Sequence, residues 1–388
     1  MKAGWEVKPL GDVIELISGQ HINASDYNNS NKGIGYLTGP SDYGPIHPVI
    51  TKWTEFPKRL AQCGDILLTV KGSGVGSVNL LDAKEVAISR QIMAVRAKAI
   101  EPRYLFLLLQ SLQAYFAEKA NGAAIPGISR CDVTDFACHL PPHEEQKRIV
   151  AVLDAAFEGL ARAKENAETN LQNARELFES TLSFLFSQSE GWNISALNDH
   201  VAFVDYRGKT PPKREAGVRL ITAKNVKRGF VQVEPKEFID EGAYDAWMTR
   251  GFPEEGDVLF TTEAPLANVA QLDTSEKVVI GQRLITMKPD RAKIDREFLK
   301  FALMSPQMQE EIFSYATGAT VLGIKAKLLK TVKFRFPKSL ERQRKVAAQC
   351  RTSFEKMDEL DDIYRTKLAD IADLRQSLLQ KAFAGELT

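Results

Sequence analysis

The sequence predicts an α+β protein built as a tandem, pseudo-twofold repeat: two α/β domains separated by two long helices that pair as an antiparallel coiled coil. Three observations predict it. Matching segments recur in the same order in both halves of the 388 residues. Short β-branched runs inside each half are punctuated by Gly and Pro. Two long Pro-free stretches carry apolar residues at steps of three and four. The expected division is a first domain over 1–140, a spacer helix over 141–188, a second domain over 189–337 and a second spacer helix over 338–388.

The repeat comes first because missing one misreads the whole fold. Gly4-Trp5 with Leu10 and Asp12 recurs as Gly191-Trp192 with Leu197 and Asp199. Gly64-Asp65-Ile66-Leu67-Leu68-Thr69 recurs as Gly256-Asp257-Val258-Leu259-Phe260-Thr261, and Val86 through Gln91 answers to Val278 through Arg283. Gly122 through Ile128 answers to Gly318 through Ile324, and each half closes on Pro141 or Pro337 and a glutamine, Gln146 or Gln343. The halves differ most at about 20–60 and 205–250, as expected where one scaffold carries its function on loops.

Within each half, Asp65–Val70 and Val258–Thr262 read as strands, and Pro102–Lys119 and Asp295–Tyr315 read as single packed helices. The long helices are marked by a seam: Ile149, Leu153, Leu160, Leu171 and Phe178 in the first, and Val346, Met357, Leu360, Tyr364, Leu368, Ile371 and Leu378 in the second. At 1.5 Å per residue about 40 residues make a rod on the order of 60 Å, and its stripe predicts pairing with the other helix or docking on another subunit.

Composition excludes several classes. Hydrophobic content of 44% with 26% charge is that of a globular chain, and no apolar stretch is long enough to span a bilayer. Met1 to Gly11 lacks the pattern of a secretion signal, which predicts a cytoplasmic protein. A net charge of +1 argues against a non-specific polyanion binder and permits local basic faces. Cys63, Cys131, Cys138 and Cys350 lack metal-ligand spacing and read as buried free thiols.

Catalytic patterns fail one by one. Lys71-Gly72-Ser73-Gly74-Val75-Gly76 keeps neither dinucleotide nor phosphate-loop spacing and reads as a tight turn that lets backbone approach DNA or packs on a strand. The five histidines are scattered, so no metal site is expected. Pro289-Asp290 with Glu297 and Lys300 has the wrong spacing for a metal-dependent nuclease. Neither Leu140-Pro141-Pro142-His143 nor Thr210-Pro211-Pro212-Lys213 supplies the aromatic element of an amino-methyltransferase. No catalytic residue is predicted.

Binding chemistry is present instead. Basic and amide side chains gather in corresponding loops: Lys52, Lys71, Ser73, Arg90, Gln91 and Arg130 in the first half, and Arg207, Lys209, Thr210, Lys213, Arg214, Lys224, Asn225, Lys227, Arg228, Arg283, Lys325 and Lys327 in the second. Arg and Lys anchor phosphates, and Arg, Asn and Gln pair with base edges, which predicts double-stranded DNA as the ligand.

The ordered set of motifs, with Pro141-Pro142-His143-Glu144-Glu145-Gln146 and the ending Leu374 to Leu387, resembles the specificity subunit of type I restriction-modification enzymes along the whole chain. Tyr206 to Lys213 and Thr261-Thr262-Glu263-Ala264-Pro265 add to the resemblance. Leu340-Glu341-Arg342-Gln343 after a single Pro337 departs from the first helix's Pro-Pro start, with packing as the expected consequence. The resemblance implies two target-recognition domains reading the halves of a bipartite asymmetric site, helices that set the gap and bind two modification (methyltransferase) subunits, and restriction subunits that translocate and cut. S-adenosylmethionine is implied on the methyltransferase partner and no cofactor in this chain; the role implied is DNA methylation and phage defence. Two other readings stay open: the recognition subunit of a differently organised methyltransferase-nuclease, and a coiled-coil adaptor whose domains bind protein.

Overall fold

The computed structural model describes residues 4–120, 125–188, 190–206 and 211–387. They fall into two compact units, 1–167 with 367–388, and 168–366. The division lies inside both long helices, away from the segment ends read from the sequence, because each domain core recruits one end of each helix.

In the first unit Glu6–Pro9 pairs antiparallel with Ala137–Leu140, Glu6 opposite Leu140, which ties the start of the domain to the root of the first long helix. The main sheet is antiparallel in the order Ile14–Ser18, Ile92–Ala97, Ile66–Thr69, Val78–Leu80. A second sheet, Trp53–Thr54, Ile34–Leu37, Glu85–Ile88, Leu60–Gln62, contains a parallel pairing of Tyr36 with Ala87. The two-residue period of a strand explains why Ile66–Thr69 reads as an unbroken apolar run. Ile66 and Leu68 enter the main core, and Leu67 enters the core under the second sheet.

The second unit repeats this order. Asn193–Ala196 pairs with Lys333–Phe336, and the main sheet runs Val201–Asp205, Leu284–Pro289, Val258–Thr262, Leu266–Gln271. Its smaller sheet, Phe238–Ile239, Val218–Ile221, Val278–Ile280, again contains a parallel pairing, Arg219 with Val278. Val258 and Phe260 face one core and Leu259 the other.

The two packed helices expected as single rods are each broken, into Pro102–Ser111 and Gln113–Lys119, and into Arg296–Met304 and Pro306–Ser314. In the second unit the cause is Pro306, which drives Ser305 out of the helical region, to ψ 143°. Ser305 then caps the following helix, its hydroxyl accepting from the Met308 amide at 3.4 Å.

The long helices span His143–Ser187 and Leu340–Ala384, 45 residues each. In the first unit Ile149 and Leu153 share a core with Leu379 and Ala382, and the Arg375 guanidinium lies 4.5 Å from the Phe157 ring. In the second, Phe178 and Leu182 share a core with Val346 and Cys350. There Arg175 meets Asp361 and Phe178 meets Phe354, so the helices run antiparallel. Most of the expected seam is covered: Ile149, Leu153, Phe178 and Val346 are buried, and Leu160, Leu171, Met357, Tyr364, Leu368, Ile371 and Leu378 are half-buried. Leu360, expected in the seam or at a subunit-docking face, is the most open of the set. It is 37% exposed, and Asp361 turns inward beside it to accept from Nε of Arg175 at 2.8 Å.

Each long helix is fastened to its domain by the glutamine that the repeat singled out. The Gln146 carboxamide oxygen accepts from the Glu101 amide at 2.8 Å, and its nitrogen donates to the Pro141 carbonyl at 2.9 Å. Gln343 accepts from the Asp295 amide and donates to Lys293 and Pro337 carbonyls, all at 2.8 Å. Both are buried, so the departure in the second helix's leading motif leaves this clamp intact.

Candidate nucleic-acid interface

The most complete polar site lies in the second unit, at a junction of three backbone segments. The Thr262 amide donates to the Arg283 carbonyl at 2.8 Å, and the Ile324 amide donates to the Thr262 carbonyl at 3.0 Å. Glu263 forms a β-bridge with Gly323. These bonds hold the strand end, the turn after Val278–Ile280 and the segment 317–325 around an open cavity of about 450 Å³, lined by Thr262, Glu263, Gln282, Arg283, Thr317 and Lys325 among others. A neighbouring cavity of about 220 Å³ shares Gln282 and Arg283 and adds Lys213, Lys224 and Glu237.

Four sequence-predicted cations, Lys213, Lys224, Arg283 and Lys325, thus line one continuous face. Lys327 is exposed on the short helix Ala326–Thr331 that follows Lys325. Two of the cations are held by acids: Lys213 Nζ lies 2.7 Å from Glu237 Oε1, and Arg283 Nε lies 2.9 Å from Glu263 Oε1. Strain gathers here as well, with Ala264, Ala267 and Arg283 at φ of +50°, +66° and +65°. Non-glycine residues pay for that conformation, and functional sites are where such costs collect.

The first unit has the same junction. The Val70 amide donates to the Gln91 carbonyl at 2.8 Å, the Ile128 amide donates to the Val70 carbonyl at 2.9 Å, and Lys71 bridges Gly127. Lys71, Ser73, Arg90 and Gln91 are exposed around it. Lys52 lies farther along, donating to the Thr38 hydroxyl at 3.2 Å. The Gly-rich turn is structural: Gly76, at φ +87°, packs on the helix Gln113–Lys119, where an added Cβ would sit 3.1 Å from the Gln113 carbonyl and 3.2 Å from Phe116 Cβ.

Several expected binding residues hold the fold together instead. Asn225 is fully buried; its oxygen accepts from the Thr222 amide and hydroxyl at 3.0 Å, and its nitrogen donates to the Pro235 carbonyl at 3.0 Å. No amide edge is left for a base. Arg228 donates to Glu179 on the first long helix at 2.7 Å and to the Met304 carbonyl at 2.8 Å. Lys227 beside it lines a cavity of about 530 Å³ against the long helices, away from the junction. Arg130 is spent on Ser18 and the Leu16 carbonyl, at 2.8 and 2.9 Å. Arg207, Lys209 and Thr210 lie outside the described residues. The thiols divide: Cys138 and Cys350 are buried, whereas Cys63, in a turn, and Cys131, on the outer face of a short helix, are exposed. Burial pushes the Cys350 thiol up to about 12. Sequence reasoning missed Glu263 because it searched loops for cations and amides.

Among the described residues no group of His, Cys, Asp and Glu is arranged to hold a metal ion. What the junctions offer is donors and acceptors on an open face, the chemistry of phosphate and base-edge contact.

Known proteins with this pattern agree. The family model for the type I restriction modification DNA specificity domain matches residues 2–170. The chain is 24% identical over 404 residues to the type I restriction enzyme MjaVIII specificity subunit of Methanocaldococcus jannaschii, covering 99% of this chain and 93% of that one. It is 26% identical over 420 residues to the type I restriction enzyme EcoBI specificity subunit of Escherichia coli, covering 99% and 86%. Two solved structures share the fold. One, from work on complex assembly and conformational transition of the type I R-M system, has a TM-score of 0.78 at 21% identity over 100% of this chain and 99% of that one. The other, the HsdS subunit from Thermoanaerobacter tengcongensis, has a TM-score of 0.55 at 20% identity over 100% and 98%. The matched domain is one of DNA specificity, and the relatives matched over nearly the whole chain are specificity subunits, the non-catalytic components of DNA sequence recognition. Along nearly its whole length the chain is similar to the specificity subunits of type I restriction-modification enzymes.

Proposed function

We propose that each domain reads one half of a bipartite, asymmetric DNA target, and that the two long helices set the number of unread base pairs between the halves. The observation that carries this is the repeated junction: one hydrogen-bonded frame presents Lys71, Arg90 and Gln91 in the first unit and Glu263, Gln282 and Arg283 in the second. One frame with two sets of polar edges is what two different readings require. The cations Lys213, Lys224 and Lys325 are suited to the phosphates flanking the bases read in the second half.

The helices also dock two methyltransferase subunits in this reading, and S-adenosylmethionine binds to those partners. Support comes from large apolar side chains left on the helix surface: Leu177 is 67% and Phe184 61% exposed, seven residues apart and so on one helical face. Restriction subunits join the same complex in the cytoplasm. Among the described residues no helix is long and apolar enough to cross a membrane.

The test is a long-read methylation map of cells expressing this chain with its methyltransferase. A single bipartite, non-palindromic motif is the expected result. A contiguous or palindromic motif, or none, would overturn the reading.

A further inference from the structure

The junction of the second unit contains a residue that a DNA-facing surface should avoid. Glu263 occupies the place of Lys71 and Arg283 that of Gln91, because the same backbone bonds define both positions. Where the first unit has a cation beside an amide, the second has an acid beside a guanidinium. A carboxylate facing a polyanion weakens phosphate contact. Its side chain, 44% exposed, is nevertheless directed at Arg283, with Oε1 2.9 Å from Nε.

The guanidinium has five N–H donors in a rigid fork. A carboxylate on Nε leaves the terminal nitrogens as its donating edge and fixes the plane in which they lie. That edge matches the paired acceptors O6 and N7 of guanine in the major groove. Arg283 is already held at φ +65°, its carbonyl fixed by Thr262, so both ends of the residue are set before a base arrives. The cavity of about 450 Å³ in front of it is open and polar-lined.

We propose that Arg283 is the guanine-reading residue of the second half-site and that Glu263 is its positioning residue, so that the pair selects one G·C base pair. This rests on the proposed DNA-reading function. By the same frame, Lys71 and Gln91 read the first half, with a different preference because neither can reproduce an acid-oriented fork.

The test uses the full chain in complex with its methyltransferase subunits, selecting from randomised duplexes with wild type, Glu263→Gln and Arg283→Lys. Arg283→Lys keeps the charge and loses the fork. Glu263→Gln keeps the shape and loses the acid. Both variants are expected to lose roughly tenfold to a hundredfold discrimination at one G·C position, with the other half-site unchanged. Glu263→Gln should bind non-specific DNA at least as tightly as wild type, which a merely structural role for Glu263 does not predict. Retention of every base preference, or a uniform loss of binding across all sequences, would overturn the proposal. Wild type that selects no sequence would instead defeat the DNA-reading function, so the two failures are distinguishable.

Discussion

Asp65 and Asp257 show what the duplication preserves at the level of single residues. Asp65 is 1% exposed and takes Nε and Nη2 of Arg96 at 2.8 Å each. Asp257 is fully buried, 3.3 Å from Arg296 and 3.4 Å from Lys288. Each also accepts from the backbone amide three residues earlier, at 2.8 Å. Removing this buried acid strands the Gln62 amide and frees the partly exposed Arg96, so Asp65→Ala should cost about 2 kcal/mol. Urea unfolding measures this, and a cost below about 1 kcal/mol would place the Asp65–Arg96 pair with ordinary surface ion pairs. These aspartates were legible because Gly-Asp recurs at matched positions. The roles of Asn225, Arg228 and Arg130 were not, since burial and partners as distant as Leu16 and Met304 decide them. Lys300 is a similar case. Its ammonium lies 4.3 Å from the Phe301 ring, and burial pulls its pKa down, so its role in the fold is packing.

Between elements, the pairing of the long helices includes a charged lock at Asp361. The Asp361 carboxylate accepts from Arg175 on the opposite helix and from Arg365 on its own. Burial alone would raise its pKa, but hydrogen bonds from Arg365 and Arg175 outweigh it and hold the group below the ordinary value. A carboxyl whose folded pKa is depressed stabilises the fold above its unfolded pKa, and that contribution is lost as pH falls through the folded value. Wild type should therefore lose more stability than Asp361→Asn between about pH 5 and pH 3. Urea midpoints across that range check it, and equal losses would remove the lock from the account. Helical spacing revealed both rods and most of the seam. A count of threes and fours does not show that Leu360 sits at the open edge of the seam, beside an acid held by a facing arginine. The break at Ser305 was readable from Pro306, and the apolar run on either side concealed it.

At the scale of the molecule, ordered repeats were enough to read the architecture, since a duplicated sequence must satisfy the same backbone bonds twice. The candidate binding face was less legible, because it depends on which loops the Thr262–Arg283 and Val70–Gln91 bonds bring together. The spacer role predicts a graded response. Inserting seven residues into each long helix, after Ala167 and after Thr366, adds roughly 10 Å of helix, about three base pairs of duplex. The methylation map should show the gap in the motif widened accordingly, and an unchanged gap would sink the spacer role.

The first core takes Ile149 and Leu153 from one helix and Leu379 and Ala382 from the other, and this has a consequence in time. The ribosome delivers these partners far apart: roughly 230 residues separate Leu153 from Leu379, on the order of ten to fifty seconds at about 5–20 residues per second. Through that interval the first core lacks the apolar cover that Leu379 and Ala382 supply.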